Sequence, residues 1–193
     1  PSIKDSLRLV GDTFIYVGAS TLHRRWIVTH ERRDLGVPQR IRLRYSDDGS
    51  DWIDQWTDEN GGDGVAVTAM GDTALLVVWC NINEGMQWGT LDGSRWTKLG
   101  AGPAGSALAR DPHLVRQTGG GAWLGWLDGS SEPPYNDHVY ISSFADGLWS
   151  PSTRVECNFP SAGTWFASGM AMSQSADAFP SVAWDVYSGG NED

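Results

Sequence analysis

Residues 65–96, VAVTAMGDTALLVVWCNINEGMQWGTLDGSRW, contain the pattern on which the rest of the chain is built. The stretch holds two apolar runs separated by Gly-Asp, then a polar loop, a third short run, and an Asp-Gly pair followed by a tryptophan. The same landmarks return elsewhere: Gly-Asp-Thr at 11–13, and Asp-Gly followed by tryptophan at 48–52 and 146–149. Self-similarity of this kind predicts a repeat architecture.

Tryptophans that close an apolar run show the length of the repeat. Trp79, Trp126 and Trp184 each end such a run, and they are spaced by roughly 50 residues. The runs are short, rich in Val, Ile, Leu and Trp, and bounded by Gly, Asp, Asn or Ser, which favours strands over helices. Repeats of this length made of short strands are typical of propeller blades. The sequence therefore predicts an all-β fold, a β-propeller made of four-stranded antiparallel blades.

The landmarks divide the chain into four units, 1–52, 53–100, 101–155 and 156–193, the last of them incomplete. This gives about three and a half blades, whereas a closed propeller has at least four. We expect the chain to belong to a larger ring, completed by missing residues or by another chain, since exposed strand edges are normally avoided.

The Asp-Gly pairs are expected to be hairpin turns, because glycine adopts positive φ freely and aspartate tolerates it. The tryptophan that follows, Trp96 in the central copy, is expected to fold back over the turn. Trp79, Trp126 and Trp184 are assigned to the core because they end apolar runs.

These turns resemble the Asp-box of sialidase-like propellers, Ser/Thr-x-Asp-x-Gly-x-x-Trp. Residues 45–52 read YSDDGSDW, with Tyr45 at the hydroxyl position; residues 90–96, TLDGSRW, are one residue short; residues 143–149, SFADGLW, form a third copy. The combination of a Gly-Asp-Thr turn with a later Asp-Gly turn and tryptophan is also similar to the repeats of sugar-binding propeller lectins. The resemblance implies a propeller in which the Asp-box is structural and lies away from any catalytic face.

Composition narrows the classes of partner. The chain of 193 residues has 24 acidic and 14 basic side chains and a net charge of −10, which argues against nucleic acid or an anionic membrane as the main partner. The longest apolar run, 74–80, is far shorter than the ~20 residues of a membrane-spanning helix. The chain begins without methionine, and its ends suggest a segment of a longer protein. By association with similar repeats, we expect a secreted or cell-surface protein.

Cysteines and histidines give no metal-binding pattern, and no cofactor is expected. Cys80 and Cys157 fall in different units, so a disulfide and two buried thiols both stay open. We expect surface or loop positions for the four histidines, His23, His30, His113 and His138. The acid- and proline-rich loop 128–137 is either a surface excursion or a sugar or calcium contact.

Sugars present apolar C–H faces and a ring of hydroxyls, so an indole ring beside fixed polar groups suits them. The candidate platforms are Trp88, Trp96, Trp123 and Trp149, with Arg95 and Glu84 as hydroxyl partners. Each of these tryptophans has an alternative role in blade packing. The polar loop 81–85 is expected at a ligand-facing edge.

A second candidate site is cationic. Arg40, Arg42 and Arg44 alternate with apolar residues and so share one strand face. Together with Arg24 and Arg25 they form either a pocket for a carboxylate or phosphate, or a solvated face balanced by acids such as Glu31 and Asp34.

Three functions remain open. The first is a lectin-like, carbohydrate-binding module whose ligand is a glycan. The second is a sialidase-like glycoside hydrolase, for which the chain offers Tyr140, Tyr187, Asp34 and Glu31 but no spacing that defines a catalytic set. The third is a structural or protein-binding propeller. An enzyme is the less favoured class.

Overall fold

The computed structural model describes residues 13–20, 24–31, 39–72, 74–92, 95–103, 108–129, 137–155, 165–174 and 179–188. In these ranges the chain forms fourteen β-strands and no helix, and so none of the described segments is a helix that could cross a membrane. The strands are β1 Thr13–Ser20, β2 Arg25–Glu31, β3 Gln39–Ser46, β4 Ile53–Ala69, β5 Ala74–Asn81, β6 Gly85–Asp92, β7 Arg95–Ala101, β8 Ala109–Arg116, β9 Ala122–Gly129, β10 Asp137–Ala145, β11 Leu148–Trp149, β12 Thr153–Val155, β13 Trp165–Gln174 and β14 Pro180–Ser188.

Every strand pair is antiparallel, and each pair joins consecutive strands of the chain except that of β12, which pairs with β10. Strands β1 to β7 hydrogen-bond in chain order. Strands β8, β9 and β10 form a separate sheet whose last position is shared by β11 and β12, both paired with β10. Strands β13 and β14 form a two-stranded sheet. The predicted all-β, antiparallel architecture is confirmed.

Strand β4 links the first two sheets. Its first half pairs with β3 as far as Gly61, and Gly61 also pairs with Asn81 in β5. The first sheet is therefore β1, β2, β3 and the first half of β4, and the second is the rest of β4 with β5, β6 and β7. The sheet of β8 to β12 is the third, and the sheet of β13 and β14 is the fourth. Residues 53–61 pair with the first sheet, past the predicted limit of the first unit at Trp52. The first three sheets each have four strand positions, as predicted for blades, and the first two share β4. The bounds of the four units stay a prediction.

The bend in β4 needs glycine. The register shifts between Gly61 and Val65, and Gly64 has a φ of +129°, which L side chains rarely adopt. A Cβ on Gly64 would lie 2.6 Å from Cδ of Pro112 in β8. The sequence GGDG at 61–64 lets the chain pass from one sheet to the next while β8 packs against it.

Strand β5 shows how the sheets pack. Its run of buried apolar residues faces both ways because side chains alternate along a strand. Leu75, Val77 and Trp79 join a first core with residues of β2, β3, β4 and β6, whereas Leu76 and Val78 join a second core with β6, β8, β9 and β10. A third core, around Leu127 and Val139, packs the third sheet on the fourth. The four sheets thus stack face to face in chain order.

The Asp-Gly corner at 146–147 is a tight turn, as predicted. Asp146 and Gly147 have φ of 52° and 80°, the two positive values of a tight hairpin turn. Gly93 lies outside the described residues. Trp96 lies over Gly89 of β6, where a Cβ would come within 2.7 Å of its ring. Because residues 93 and 94 lie outside the described residues, the expectation that Trp96 covers its turn stays a prediction.

Burial confirms most of the core assignments. Trp79 and Trp126 are 0% and 1% exposed, whereas Trp184 is half-buried and packs against the third core. His30 is buried at 5% exposure, because β2 is a central strand between β1 and β3, so the surface position expected for it was wrong. His113 and His138 lie on strands β8 and β10, and His23 is outside the described residues. Cys80 is buried, and Cys157, its possible partner, lies outside the described residues.

Candidate functional site

A groove opens between the second and third sheets at one rim, with a volume of about 200 Å³. We call it the inter-sheet groove. It is built by the start of β3, the bend of β4, the end of β5 with the turn after it, and the start of β8. Its lining residues are Gln39, Gly61, Gly62, Cys80, Asn81, Ile82, Leu108, Ala109 and Arg110.

Asn81 is held in place by both ends of its amide. Its Oδ1 accepts hydrogen bonds from the backbone N–H groups of Asn83, at 2.9 Å, and Glu84, at 3.0 Å. Its Nδ2 donates to Oδ2 of Asp58 at 3.0 Å, and Nε1 of Trp79 donates to the same oxygen at 2.8 Å. This network fixes the turn after β5 and therefore one wall of the groove.

Arg110 forms the opposite wall and is also held in place. Its Nη2 donates to Oδ2 of Asp137 and, at 3.3 Å, to the carbonyl of Ala167. Asp137 is only 5% exposed and also accepts the N–H of Ala167 at 2.8 Å. The Arg110 side chain stays 32% exposed, so an oriented guanidinium remains within reach of a ligand.

Gln39, which lines the groove, carries an unsatisfied acceptor. Its Oε1 is buried and has no hydrogen-bond partner among the described residues. Leaving such a group unpaired costs roughly 1–3 kcal/mol, so a hydroxyl or water donor in the groove would be stabilising. The lips of the groove are apolar, with Ile82 63% and Leu108 44% exposed. The groove can therefore hold a small ligand that has both hydroxyls and an apolar edge.

None of the sequence-predicted platforms lines this groove. Trp88 is 8% exposed and packs edge-on against Phe144, at 5.0 Å, and Trp149, at 5.8 Å, in the second core. Burial leaves little of the Trp88 indole for a sugar. Trp149 is half-buried against the same pair. For these two residues the packing alternative fits the structure better.

The other candidates lie apart from one another. Trp96 stacks among Trp56, at 4.9 Å, and Trp79, at 6.1 Å, in the first core. Glu84 is exposed and pairs with Lys98 at 2.8 Å, and Arg95 is exposed at the start of β7. Trp123 is half-buried on β9 and faces Phe179. Their roles as ligand contacts stay predictions.

Sequence reasoning reached only part of the inter-sheet groove. The predicted ligand-facing loop 81–85 contributes Asn81 and Ile82. Gln39 and Arg110 were missed, because they stand far apart in the sequence and neither belongs to a repeated motif. The one available signal was their position at the first residues of strands, where neighbouring sheets meet at a rim.

The arginine face of β3 is matched by acids. Arg44 lies 2.6 Å from Asp54 and 3.6 Å from Glu31, Arg42 lies 3.3 Å from each of the same acids, and Arg40 is 3.0 Å from Glu59. The solvated, balanced face is the alternative that this geometry favours, with Asp54 as a partner; Asp34 lies outside the described residues.

The two remaining arginines sit near the β3–β4 turn. Arg24 pairs with Asp47 at 2.9 Å and places its guanidinium 4.3 Å from the centre of the Tyr45 ring. Arg25 is exposed and lies against Gly49. A role of these arginines in anion binding stays a prediction.

The groups considered for hydrolysis are engaged elsewhere or outside the described residues. Tyr140 stacks on Trp126 at 5.6 Å with ring planes 16° apart, and Glu31 belongs to the arginine network. Asp34 and the Tyr187 side chain are not described. Among the described residues no three His, Cys, Asp or Glu side chains come together as a metal site. Most of the loop considered for calcium, 130–136, is outside those residues.

Asp48 organises the turn between β3 and β4. Its carboxylate accepts hydrogen bonds from the Ser50 hydroxyl at 2.7 Å, the Ser50 N–H at 2.8 Å, the Ser46 hydroxyl at 3.0 Å and the Asp51 N–H at 3.1 Å. The pKa of Asp48 is lowered far below its usual range, mainly by the Ser50 hydroxyl and then by the backbone donors. In this turn Asp48 accepts the hydrogen bonds, whereas Asp47 pairs with Arg24. The Asp-box resemblance stays a prediction.

This turn predicts a pH-dependent stability. Because the pKa of Asp48 is lower in the folded than in the unfolded chain, its stabilisation is present above about pH 4 and is lost as the pH falls below that value. We expect Asp48→Asn to lower the free energy of unfolding near pH 7, with the deficit shrinking toward about pH 2. Urea unfolding of the wild type and the variant at several pH values measures this difference in the free energy of unfolding. Asp51→Asn, whose carboxylate accepts none of these bonds, is the control; equal effects of both variants at all pH values would contradict the interpretation.

Asp111 fastens the fourth sheet to the third. It has a φ of 49°, in the bulge between Arg110 and His113, and its Oδ2 accepts the N–H of Met170 at 2.9 Å. Nε2 of His113 lies 3.2 Å from Oδ1. Burial raises the pKa of Asp111, but the hydrogen bonds from His113 and Met170 outweigh it, so the pKa is lowered overall. Asp111 and Asp137 thus tie β8 and β10 to β13.

The fold class that these sheets define is the β-propeller, in which antiparallel sheets follow one another in chain order and pack face to face. The predicted propeller of about three and a half blades is confirmed. Solved structures of this kind include the Aleuria aurantia lectin N224Q mutant in complex with Fucα1-6GlcNAc, with a TM-score of 0.52 and 14% identity, over 93% of this chain and 63% of that chain.

Other similar structures are less closely superposed. The fucose lectin from Kordia zhangzhouensis in complex with methyl-fucoside gives a TM-score of 0.46 at 12% identity, over 72% of this chain and 97% of that chain. The Aleuria aurantia lectin N224Q mutant with α-methyl-L-fucoside gives 0.48 and 12%, over 86% of this chain, which spans 56% of that lectin. No protein-family model matches the sequence, and no curated protein does. At these identities the likeness shows the fold alone.

Proposed function

We propose that this chain is a carbohydrate-binding, lectin-like propeller module that binds one sugar unit of a glycan in the inter-sheet groove. The observation that carries the proposal is a groove lined by Gln39, whose buried Oε1 has no hydrogen-bond partner among the described residues, and by Asn81 and Arg110, whose side chains are held in place. A sugar hydroxyl supplies the missing donor. Exported or cell-surface location, the expected setting for glycan recognition, is part of the same proposal.

The size and lining of the groove suit one sugar ring. Its volume of about 200 Å³ is below the roughly 300–1,000 Å³ of sites for drug-sized ligands. Oriented donors on Arg110 can reach ring or hydroxyl oxygens, and Ile82 and Leu108 can cover an apolar C–H edge. The Aleuria aurantia lectin mutant that shares the fold was solved in complex with Fucα1-6GlcNAc, which supports a glycan as the ligand class.

Binding is proposed without catalysis. Hydrolysis needs a nucleophile and an acid placed on either side of one glycosidic bond, and the described residues of the groove include no carboxylate and no tyrosine. A chromogenic sialoside tests the hydrolase alternative directly, and turnover that survives Gln39→Ala would favour an active site elsewhere.

Variants of the groove test the proposal. Gln39→Ala removes the acceptor and Ile82→Ala removes one lip; we expect the two together to weaken glycan binding about tenfold or more. A glycan array identifies the sugar that binds, and calorimetry with the methyl glycoside of that sugar measures the affinity of each variant. Ile53→Ala is the control, since Ile53 is 51% exposed but lies at the other end of the β3–β4 pair. Equal binding by all variants, or no binding by the wild type, would overturn the proposal.

A further inference from the structure

The half-buried Trp123 and the exposed Phe179 form an aromatic pair at the opposite rim, between the third and fourth sheets. Their ring centres are 6.3 Å apart and the ring planes are tilted by 33°. Phe179 is 73% exposed, the second most exposed large apolar side chain described. Most of one aromatic ring is therefore available to a ligand.

The strand geometry separates this pair from the inter-sheet groove. Trp123 pairs with Val115 near the end of β8, whereas Arg110 lies near its start. At about 3.3 Å per residue the two positions are roughly 15 Å apart along the strand. A single sugar ring cannot occupy both.

The surroundings of the aromatic pair are polar. Nε2 of Gln174 donates to Oγ1 of Thr118 at 3.0 Å, which ties the last residue of β13 to the turn after β8. Gln174 pairs with Pro180, the residue after Phe179. The turn after β8 continues with Gly119 and Gly120, both exposed with positive φ. Two rings within a polar rim make a small apolar spot, smaller than the apolar centre of a protein–protein interface.

We infer that Trp123 and Phe179 are a second carbohydrate site, which holds a pyranose by stacking its C–H face on Phe179, with the Thr118 hydroxyl and Gln174 amide as hydrogen-bonding neighbours. The inference rests on the proposed function and extends it to two sites on one chain. Two weak sites on opposite rims gain overall affinity for a multivalent glycan surface without any new contact.

Titration of the full chain with a panel of methyl glycosides that includes methyl α-L-fucoside tests the second site. Calorimetry gives the number of sites, and ¹H–¹⁵N spectra follow the Trp123 indole, assigned with Trp123→Phe. We expect two sites in the wild type and about tenfold weaker binding at one of them in Phe179→Ala, the loss of one stacking contact. Leu148→Ala, which removes a side chain that is 74% exposed, is expected to keep both sites.

The outcomes separate the two proposals. The second site is supported if Phe179→Ala loses one site and the double variant Gln39→Ala, Ile82→Ala keeps that same site. A single site that only the groove variant removes overturns the second site and leaves the proposed function standing. Two sites that both persist unchanged in Phe179→Ala also overturn it. No binding of any glycoside by the wild type overturns both.

Discussion

Replacing Gly64 with alanine is expected to lower the free energy of unfolding by about 3–5 kcal/mol. Two costs combine at this position. A φ of +129° is strained for any residue with a Cβ, and the added methyl carbon would lie 2.6 Å from Cδ of Pro112 and 3.2 Å from the backbone nitrogen of Asp111. Neither neighbour is the end of a flexible side chain, so the clash can be relieved only by moving β4 away from β8.

Gly100→Ala is the matched control for Gly64→Ala. Gly100 has nearly the same φ, +124°, but no heavy atom lies within 4 Å of the position of its added Cβ. We expect this variant to lose about 1–3 kcal/mol from backbone strain alone. Chemical denaturation of both variants measures the difference, which is the steric part. Equal losses in the two variants would show that β4 and β8 are not held in close contact at Gly64.

The period-two pattern explains why the strands could be predicted. Strand β5 is apolar at every position from Leu75 to Cys80 because it is buried on both faces, and in β3 the arginines alternate with Ile41 and Leu43. Local side-chain direction decides both patterns. The hairpin at Asp146 and Gly147 was likewise predictable, since its positive φ values depend on the turn residues alone.

Features that depend on two distant segments could not be predicted from the sequence. The space for the Trp96 ring, for example, depends on the absence of a Cβ at Gly89 on the neighbouring strand. The inter-sheet groove collects residues from β3, β4, β5 and β8, and no short motif contains more than three of them. Trp184 was assigned to the core like Trp79, yet it is half-buried. Burial depends on what packs against each face of a sheet, and the local sequence pattern does not specify this.

Loss of Asp137 is expected to disturb both the fold and the inter-sheet groove. Asp137→Ala should lower the free energy of unfolding by about 2–4 kcal/mol, less than for a fully buried ion pair, because the partner Arg110 is partly solvated. The Ala167 N–H donates a hydrogen bond to Asp137 at 2.8 Å. It would lose this partner at the edge of the fourth sheet. Arg110, no longer held by the carboxylate, would leave the orientation that it has in the groove.

Asp137→Asn separates these two effects, because an amide oxygen can still accept the Ala167 N–H but carries no charge to hold Arg110. We expect it to stay folded with a smaller loss of stability, about 1 kcal/mol, and to bind glycan more weakly. The hydrogen-exchange rate of the Ala167 N–H measures whether its bond to residue 137 is kept. The Met170 N–H, which donates to Asp111 at 2.9 Å, is the internal reference. If Asp137→Ala unfolds at the same denaturant concentration as the wild type, the buried carboxylate does not join the sheets. If Asp137→Asn binds glycan as tightly as the wild type, Arg110 does not act in the groove through its contact with Asp137.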